Sequence, residues 1–154
     1  MIIHSFVDKS TPIEDTLAAV QRLYEENRFK ELGLSNYPSW EVVYIHSYCK
    51  ERGWVVPTVY QGMYNPLTRE VERELFPALR KLSMRFYAYN PLCGGLLTGK
   101  HDYQSMSDRA GTRFDPHSSY KERYTSRYWN KEVGVYAMSF HGFIFIKYCS
   151  ISMR

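Results

Sequence analysis

Cysteine is scarce in this sequence, and its placement excludes two common designs. Cys49, Cys93 and Cys149 are odd in number and far apart, with no pair at metal-ligand or redox spacing. A disulfide scaffold and a structural zinc site are therefore set aside, no metal is expected, and free thiols in a reducing, cytoplasmic setting are. Long apolar runs are missing as well. Met1-Ile2-Ile3 is too short for a signal peptide, with charged Asp8 and Lys9 close behind. Phe143-Ile144-Phe145-Ile146 falls far below the roughly 20 residues of a membrane span, so no membrane partner is expected. There is no basic track interleaved with aromatics. The net charge of +4 is scattered, and Arg69-Glu70-Val71-Glu72-Arg73-Glu74 alternates in sign like a solvated helix face. Nucleic acid is accordingly not an expected partner, although a diffuse positive field would still attract a phosphate-bearing cofactor. Two glycine signatures are absent too. Gly94-Gly95-Leu96-Leu97-Thr98-Gly99-Lys100 lacks the spacing of a nucleotide phosphate loop. His4-Ser5-Phe6-Val7 has none of the glycines that follow the first strand of a doubly wound dinucleotide fold.

What is present is an ordinary globular balance, 44% hydrophobic and 23% charged, with aromatics raised to 16% and 14 tyrosines among them. The apolar pattern alternates between two periods. Ile2 and Ile3 form a short strand ending at His4. Thr11-Pro12-Ile13-Glu14 reads as a capping box with proline at the first helical position. Ile13, Leu17, Val20 and Tyr24 then make one helical stripe. Glu31-Leu32-Gly33-Leu34 is the second strand, running into Ser35-Asn36. Ser39 is expected to cap a second helix that buries Val42, Ile45 and Cys49 and ends at Gly53. Pro57-Thr58-Val59-Tyr60 is the third strand, leading into Gln61-Gly62. A third helix is expected from Thr68, burying Val71, Leu75, Leu79 and Leu82, with a kink or a break into two short helices at Pro77. Arg85-Phe86-Tyr87-Ala88-Tyr89 is the fourth strand. Strand ends recur about every 26–30 residues, near the spacing of a (β/α)8 barrel. The expected fold class is thus α/β, a partial (β/α)8 TIM barrel of about four strand–helix units with parallel strands.

A polar residue closes each expected strand: His4, Ser35 with Asn36, Gln61, and Tyr89 with Asn90. In a parallel sheet those ends share one face, where barrels build their active sites. Each also has a plain structural reading. His4 is near the terminus, Ser35-Asn36 fits a turn with a left-handed asparagine, and Tyr89 could serve packing. Gln61 is harder to dismiss, since glutamine is not a usual turn former.

Glu31-Leu32-Gly33-Leu34-Ser35-Asn36-Tyr37, Pro57 through Asn65, Arg85 through Leu92 and Gly94 through Lys100 together resemble the aldo-keto reductases, nearest the aflatoxin-aldehyde and succinic-semialdehyde reductase branch. The resemblance covers about residues 2–131. It implies NADPH as cofactor and an aldehyde or ketone as small-molecule substrate. It implies that Ser35, Asn36 and Gln61 hold the nicotinamide carboxamide and that Tyr89 stacks on the ring. Asn90, Pro91, Leu92, Cys93, Gly94, Gly95, Leu96, Leu97, Thr98, Gly99 and Lys100 would wrap the pyrophosphate, with Arg113 a further cofactor contact. Tyr124 and Arg127 would lie on the substrate side, and His4 would orient the carbonyl oxygen as the catalytic histidine. The family's proton-donating tyrosine, with its lysine and aspartate, belongs before that histidine and has no counterpart here. The chain is therefore expected to be a barrel cut at both ends, with impaired reduction. An inactive form acting only in cofactor or subunit binding is the alternative, as a dimer with itself or with a full-length subunit. Two regions are expected: 1–131 as the partial barrel and 132–154 as a divergent hydrophobic tail.

Overall fold

The computed structural model describes residues 1–4, 10–98 and 110–128, His4 by its backbone alone. The tail from 132 onward lies outside the described residues. The chain forms two compact units, Met1–Met63 with Arg69–Tyr89, and Tyr64–Thr68 with the chain from Asn90 onward.

The first unit holds four strands, β1 (Ile2–His4), β2 (Leu32–Ser35), β3 (Pro57–Met63) and β4 (Arg85–Tyr89), and three helices, α1 (Ile13–Glu25), α2 (Ser39–Glu51) and α3 (Leu75–Lys81). All neighbours pair in parallel, and the sheet order is β1-β2-β3-β4. A doubly wound sheet reverses its order at a switch point. This one never does, and crossovers of one hand then send every helix to the same face. The fold is α/β, with the strand order of part of a (β/α)8 barrel, as the sequence implied.

Burial identifies the helix-covered face. Leu34 and Tyr60 share a buried cluster with Leu17, Val42, Ile45, Leu75 and Leu79, and Phe86 packs against it. Leu34, Tyr60 and Phe86 are also in register across β2, β3 and β4. Side chains alternate along a strand, so Gly33 and Ser35, then Val59, Gln61 and Met63, then Arg85, Tyr87 and Tyr89 point away from the helices. Val42, Ile45 and Leu79 are fully buried, each worth about 1.5–3 kcal/mol relative to an exposed side chain.

The helix starts differ from the sequence reading by one residue. Pro12 and Pro38 occupy the cap positions, with extended ψ of 135° and 156°, and neither helix has a side-chain cap. Each proline carbonyl accepts the first i to i+4 bond of its helix, Pro12 O from Thr16 N–H at 3.3 Å and Pro38 O from Val42 N–H at 3.1 Å. Thr11 is thus outside α1, and Ser39 is the first residue of α2, its hydroxyl 2.9 Å from Glu74 Oε2. The three helix ends share one device. Asn27, Gly53 and Ser83 follow the caps with φ of 58°, 65° and 55°. The next amide reaches back in each case, from Arg28 to Leu23, Trp54 to Cys49 and Met84 to Leu79, at 3.0, 2.9 and 2.9 Å.

The third helix does not begin at Thr68. That residue pairs with Asn65 in an isolated antiparallel bridge, a 3-10 turn spans Glu70–Glu72 and α3 starts at Leu75. Two short helical pieces form as expected, but the break precedes Pro77. The proline sits third in α3, where its missing N–H would have had no helical partner.

Candidate functional site

Two groups of the expected residues are assembled, one in each unit. In the first unit Ser35, Gln61 and Tyr87 stand in register on adjacent strands, on the face away from the helices. Ser35 is buried, Gln61 half-buried and Tyr87 exposed. Gln61 does not close its strand, because β3 continues through Met63, paired by Gly62 to Ala88 and by Met63 to Tyr89. The ladder to β4 extends the strand past the point where polarity suggested an end. Tyr89 therefore stands two residues beyond Gln61, half-buried, and its hydroxyl donates to Asn36 Oδ1 at 3.4 Å.

Asn36 is exposed and left-handed, with φ of 64°, which is the turn conformation expected of it. The bend is held from beneath by Tyr60, whose buried hydroxyl donates to the Tyr37 carbonyl at 2.8 Å. Burial pushes the phenols of Tyr60 and Tyr37 up to about 12, so both remain neutral and Tyr60 keeps the proton it donates. His4 pairs with Leu34, one residue short of the Ser35 row. Tyr87 was overlooked in the sequence, although simple alternation puts it on the face of Tyr89. Its hydroxyl accepts a hydrogen bond from Arg85 Nη1 at 3.3 Å.

The opposite end of this face is ionic. Glu31 accepts from Thr58 Oγ1 at 2.6 Å and pairs with Arg85 across β3. The Thr58 hydroxyl chiefly, and then Arg85, hold the Glu31 carboxyl below its ordinary range. A charge pair at the N-terminal end of barrel strands reads as stability, whereas polar groups at the carboxyl end read as function.

In the second unit the chain leaves Asn90, also left-handed with φ of 58°, and makes two short 3-10 turns within Cys93–Thr98, kinked at Gly94 and Gly95. Pro91 and Leu92 are exposed while Cys93 and Leu96 are buried. Burial pushes the Cys93 thiol up to about 12, so it is no nucleophile. Gly94 and Gly95 have φ of 74° and 105°. A Cβ on Gly94 would come within 2.5 Å of the Tyr124 ring. The loop's amides are engaged internally: Cys93 N–H with Asn90 O at 3.2 Å, Gly94 N–H with Asn90 Oδ1 at 2.8 Å, and Gly95 and Leu97 N–H with Leu92 O at 2.9 and 3.2 Å. Thr98 is exposed, and Gly99 and Lys100 lie outside the described residues.

Tyr124, Arg127 and Tyr128 are on α4 (Lys121–Tyr128). Tyr124 meets Phe114 edge-on at 6.0 Å, and the Arg113 guanidinium lies 5.2 Å from the rings of both Tyr120 and Tyr124. Arg127 is exposed. Asn65 and Tyr128 were not singled out as site residues from sequence, yet both are buried and hydrogen-bonded to Asn90. Among the described residues no three His, Cys, Asp or Glu side chains could hold a metal. No helix there is long and apolar enough to cross a membrane.

The first group offers what a carboxamide and a flat ring require: hydroxyl and amide donors and acceptors beside a half-exposed aromatic. The second offers little free backbone to a phosphate, since four of its amides are taken.

The model of the Aldo/keto reductase family matches residues 1–135 of the chain. Among curated proteins, the chain is 55% identical over 124 residues to aflatoxin B1 aldehyde reductase member 2 of Homo sapiens, covering 80% of this chain and 34% of that protein. It is 52% identical over 124 residues to the human aldo-keto reductase family 7 member A3, with 80% and 38% covered. It is 43% identical over 125 residues to aldo-keto reductase pigE of Monascus ruber, with 80% and 36% covered. The chain spans about a third of the length of these relatives.

Proposed function

Because this chain belongs to the aldo/keto reductase family, we propose that it binds NADPH and serves the reduction of aldehydes, and of some ketones, to alcohols in the cytoplasm. The observation that carries the reading is the Ser35–Gln61 register, with Tyr89 tied to Asn36 beside it. When bound, NADPH supplies the hydride. The chain's own residues bind and orient. Ser35, Asn36 and Gln61 would hold the carboxamide, and Tyr89 would cover one face of the ring and leave the other to the substrate. Arg113, Gly99 and Lys100 are the better candidates for the phosphates, because the amides of Cys93, Gly94, Gly95 and Leu97 already have partners and the Thr98 hydroxyl donates to Gly95 O at 2.7 Å. Tyr124 and Arg127 are assigned to the substrate side and His4 to the carbonyl oxygen. The aldehyde class follows the names of the relatives.

We assign to this chain the binding of the cofactor, with aldehyde reduction as the reaction that the bound cofactor serves. Titrating the full chain with NADPH while following tyrosine and tryptophan fluorescence tests the binding. A saturable quench is expected, and no quench up to millimolar cofactor ends the proposal. An aldehyde-reduction assay tests the rest, since no turnover of an aldehyde at saturating NADPH would remove the reduction from the proposal.

A further inference from the structure

Buried polar groups need partners, and in the second unit one hydroxyl serves several of them. Asn65 and Tyr128 are 4% and 1% exposed. Two backbone donors fix how the neighbouring amides are turned. Leu67 N–H reaches Asn65 Oδ1 at 3.0 Å, and Gly94 N–H reaches Asn90 Oδ1 at 2.8 Å. A backbone N–H cannot face an NH2 group, so both oxygens are placed and both nitrogens must donate elsewhere. Tyr128 receives them, its hydroxyl oxygen accepting Asn90 Nδ2 at 2.8 Å and Asn65 Nδ2 at 3.2 Å. With both lone pairs engaged, the tyrosine proton is left for Thr68 Oγ1 at 3.5 Å. Asn65 Nδ2 also donates to the Asn90 carbonyl at 3.1 Å. Asn90 is thus gripped by its main chain and its side chain together, at the left-handed residue from which the Cys93–Thr98 stretch departs.

We infer that Tyr128 and Asn65 are a positioning pair, locking the Asn90 turn and so fixing the path of the chain from Asn90 through Thr98. The lock stands on the hydrogen bonds alone; its consequence for NADPH rests on the function proposed above. Three variants of the full chain test it: Tyr128→Phe, the milder Thr68→Val, and Leu79→Val as a core control in the first unit. Hydrogen exchange of peptides covering residues 90–98 reads the lock, and fluorescence titration reads NADPH affinity. Tyr128→Phe takes away the acceptor of the half-buried Asn90 amide nitrogen and one of the two acceptors of the Asn65 amide nitrogen, so exchange in 90–98 should rise and affinity fall by roughly tenfold. Thr68→Val leaves the tyrosine oxygen as acceptor and should give a smaller change of the same sign. Leu79→Val should lower the melting temperature and move neither readout. Unchanged exchange in Tyr128→Phe and Thr68→Val would overturn the inference, as would a core control that loosens 90–98 equally. If the unaltered chain fails to bind NADPH, the cofactor reading falls with the ligand consequence, and exchange alone decides the lock.

Discussion

The hydroxyl of Tyr89 reaches Oδ1 of Asn36 at 3.4 Å, joining the ends of β2 and β4 across the strand between them. The aromatic assigned to the ring of the cofactor and the amide assigned to its carboxamide are therefore placed by one another. At 3.4 Å the bond is long and partly exposed, so it orients more than it stabilises.

That difference separates two substitutions. Tyr89→Phe removes the bond and keeps the ring, and NADPH affinity should stay within about twofold. Tyr89→Ala removes the stacking surface, and affinity should fall further, by up to about tenfold, the upper end of about 0.5–1.5 kcal/mol for an aromatic pair. Fluorescence titration of both variants compares them, and equal losses would assign the effect to the hydroxyl.

Gly94 and Gly111 have nearly the same backbone, with φ of 74° and 70°, but different surroundings. A Cβ at Gly94 meets the Tyr124 ring, while one at Gly111 meets nothing within 4 Å. Gly111→Ala should cost about 1–2 kcal/mol for the left-handed backbone alone. Gly94→Ala adds a clash in a packed site, about 1–3 kcal/mol more. Urea unfolding of the two variants isolates the packing contribution as the difference.

Tyr60→Phe should destabilise the chain by about 1–3 kcal/mol, because it leaves the Tyr37 carbonyl without its buried donor. The stacked contact with Phe86, at 6.1 Å, survives. The loss should appear in urea unfolding together with weaker NADPH binding, since the same carbonyl anchors the Asn36 bend.

Burial pushes the Cys49 and Cys93 thiols up, from 9.0 to about 11 and about 12. The unfolded thiols ionise first, so these groups favour the folded state fully below about pH 9, the unfolded value. Their contribution should fall as pH rises from there toward 11 and 12. At pH 8 a thiol reagent should modify neither residue in the folded chain and both in urea, read by peptide mapping. Rapid labelling of Cys49 or Cys93 in native chain would contradict the burial.

Strand and helix order was legible because each segment carries its own apolar period and needs no distant partner to reveal it. The left-handed bend at Asn36 was legible for the same reason. The helix starts were misplaced by one residue because proline serves at the cap as well as one position later, and composition cannot separate the two. Thr68 was misread as a helix start because its actual partners are Asn65 and, sixty positions on, Tyr128. Asn65 itself was invisible as a functional residue: its role comes from bonds to Asn90 and Tyr128, 25 and 63 positions away. Gln61 was singled out by its polarity, yet its strand was ended too early, since strand length here is decided by pairing with β4.

Among the described residues, each strand of the sheet pairs only with its immediate predecessor and successor in the chain. None of these pairings waits for a segment made much later, so each loop closed between them is a single crossover, and closure entropy grows only slowly with length. During synthesis β2 can dock on β1, then β3 on β2, each as it emerges, in keeping with the way local topology speeds folding. The order of translation and the order of assembly are then the same.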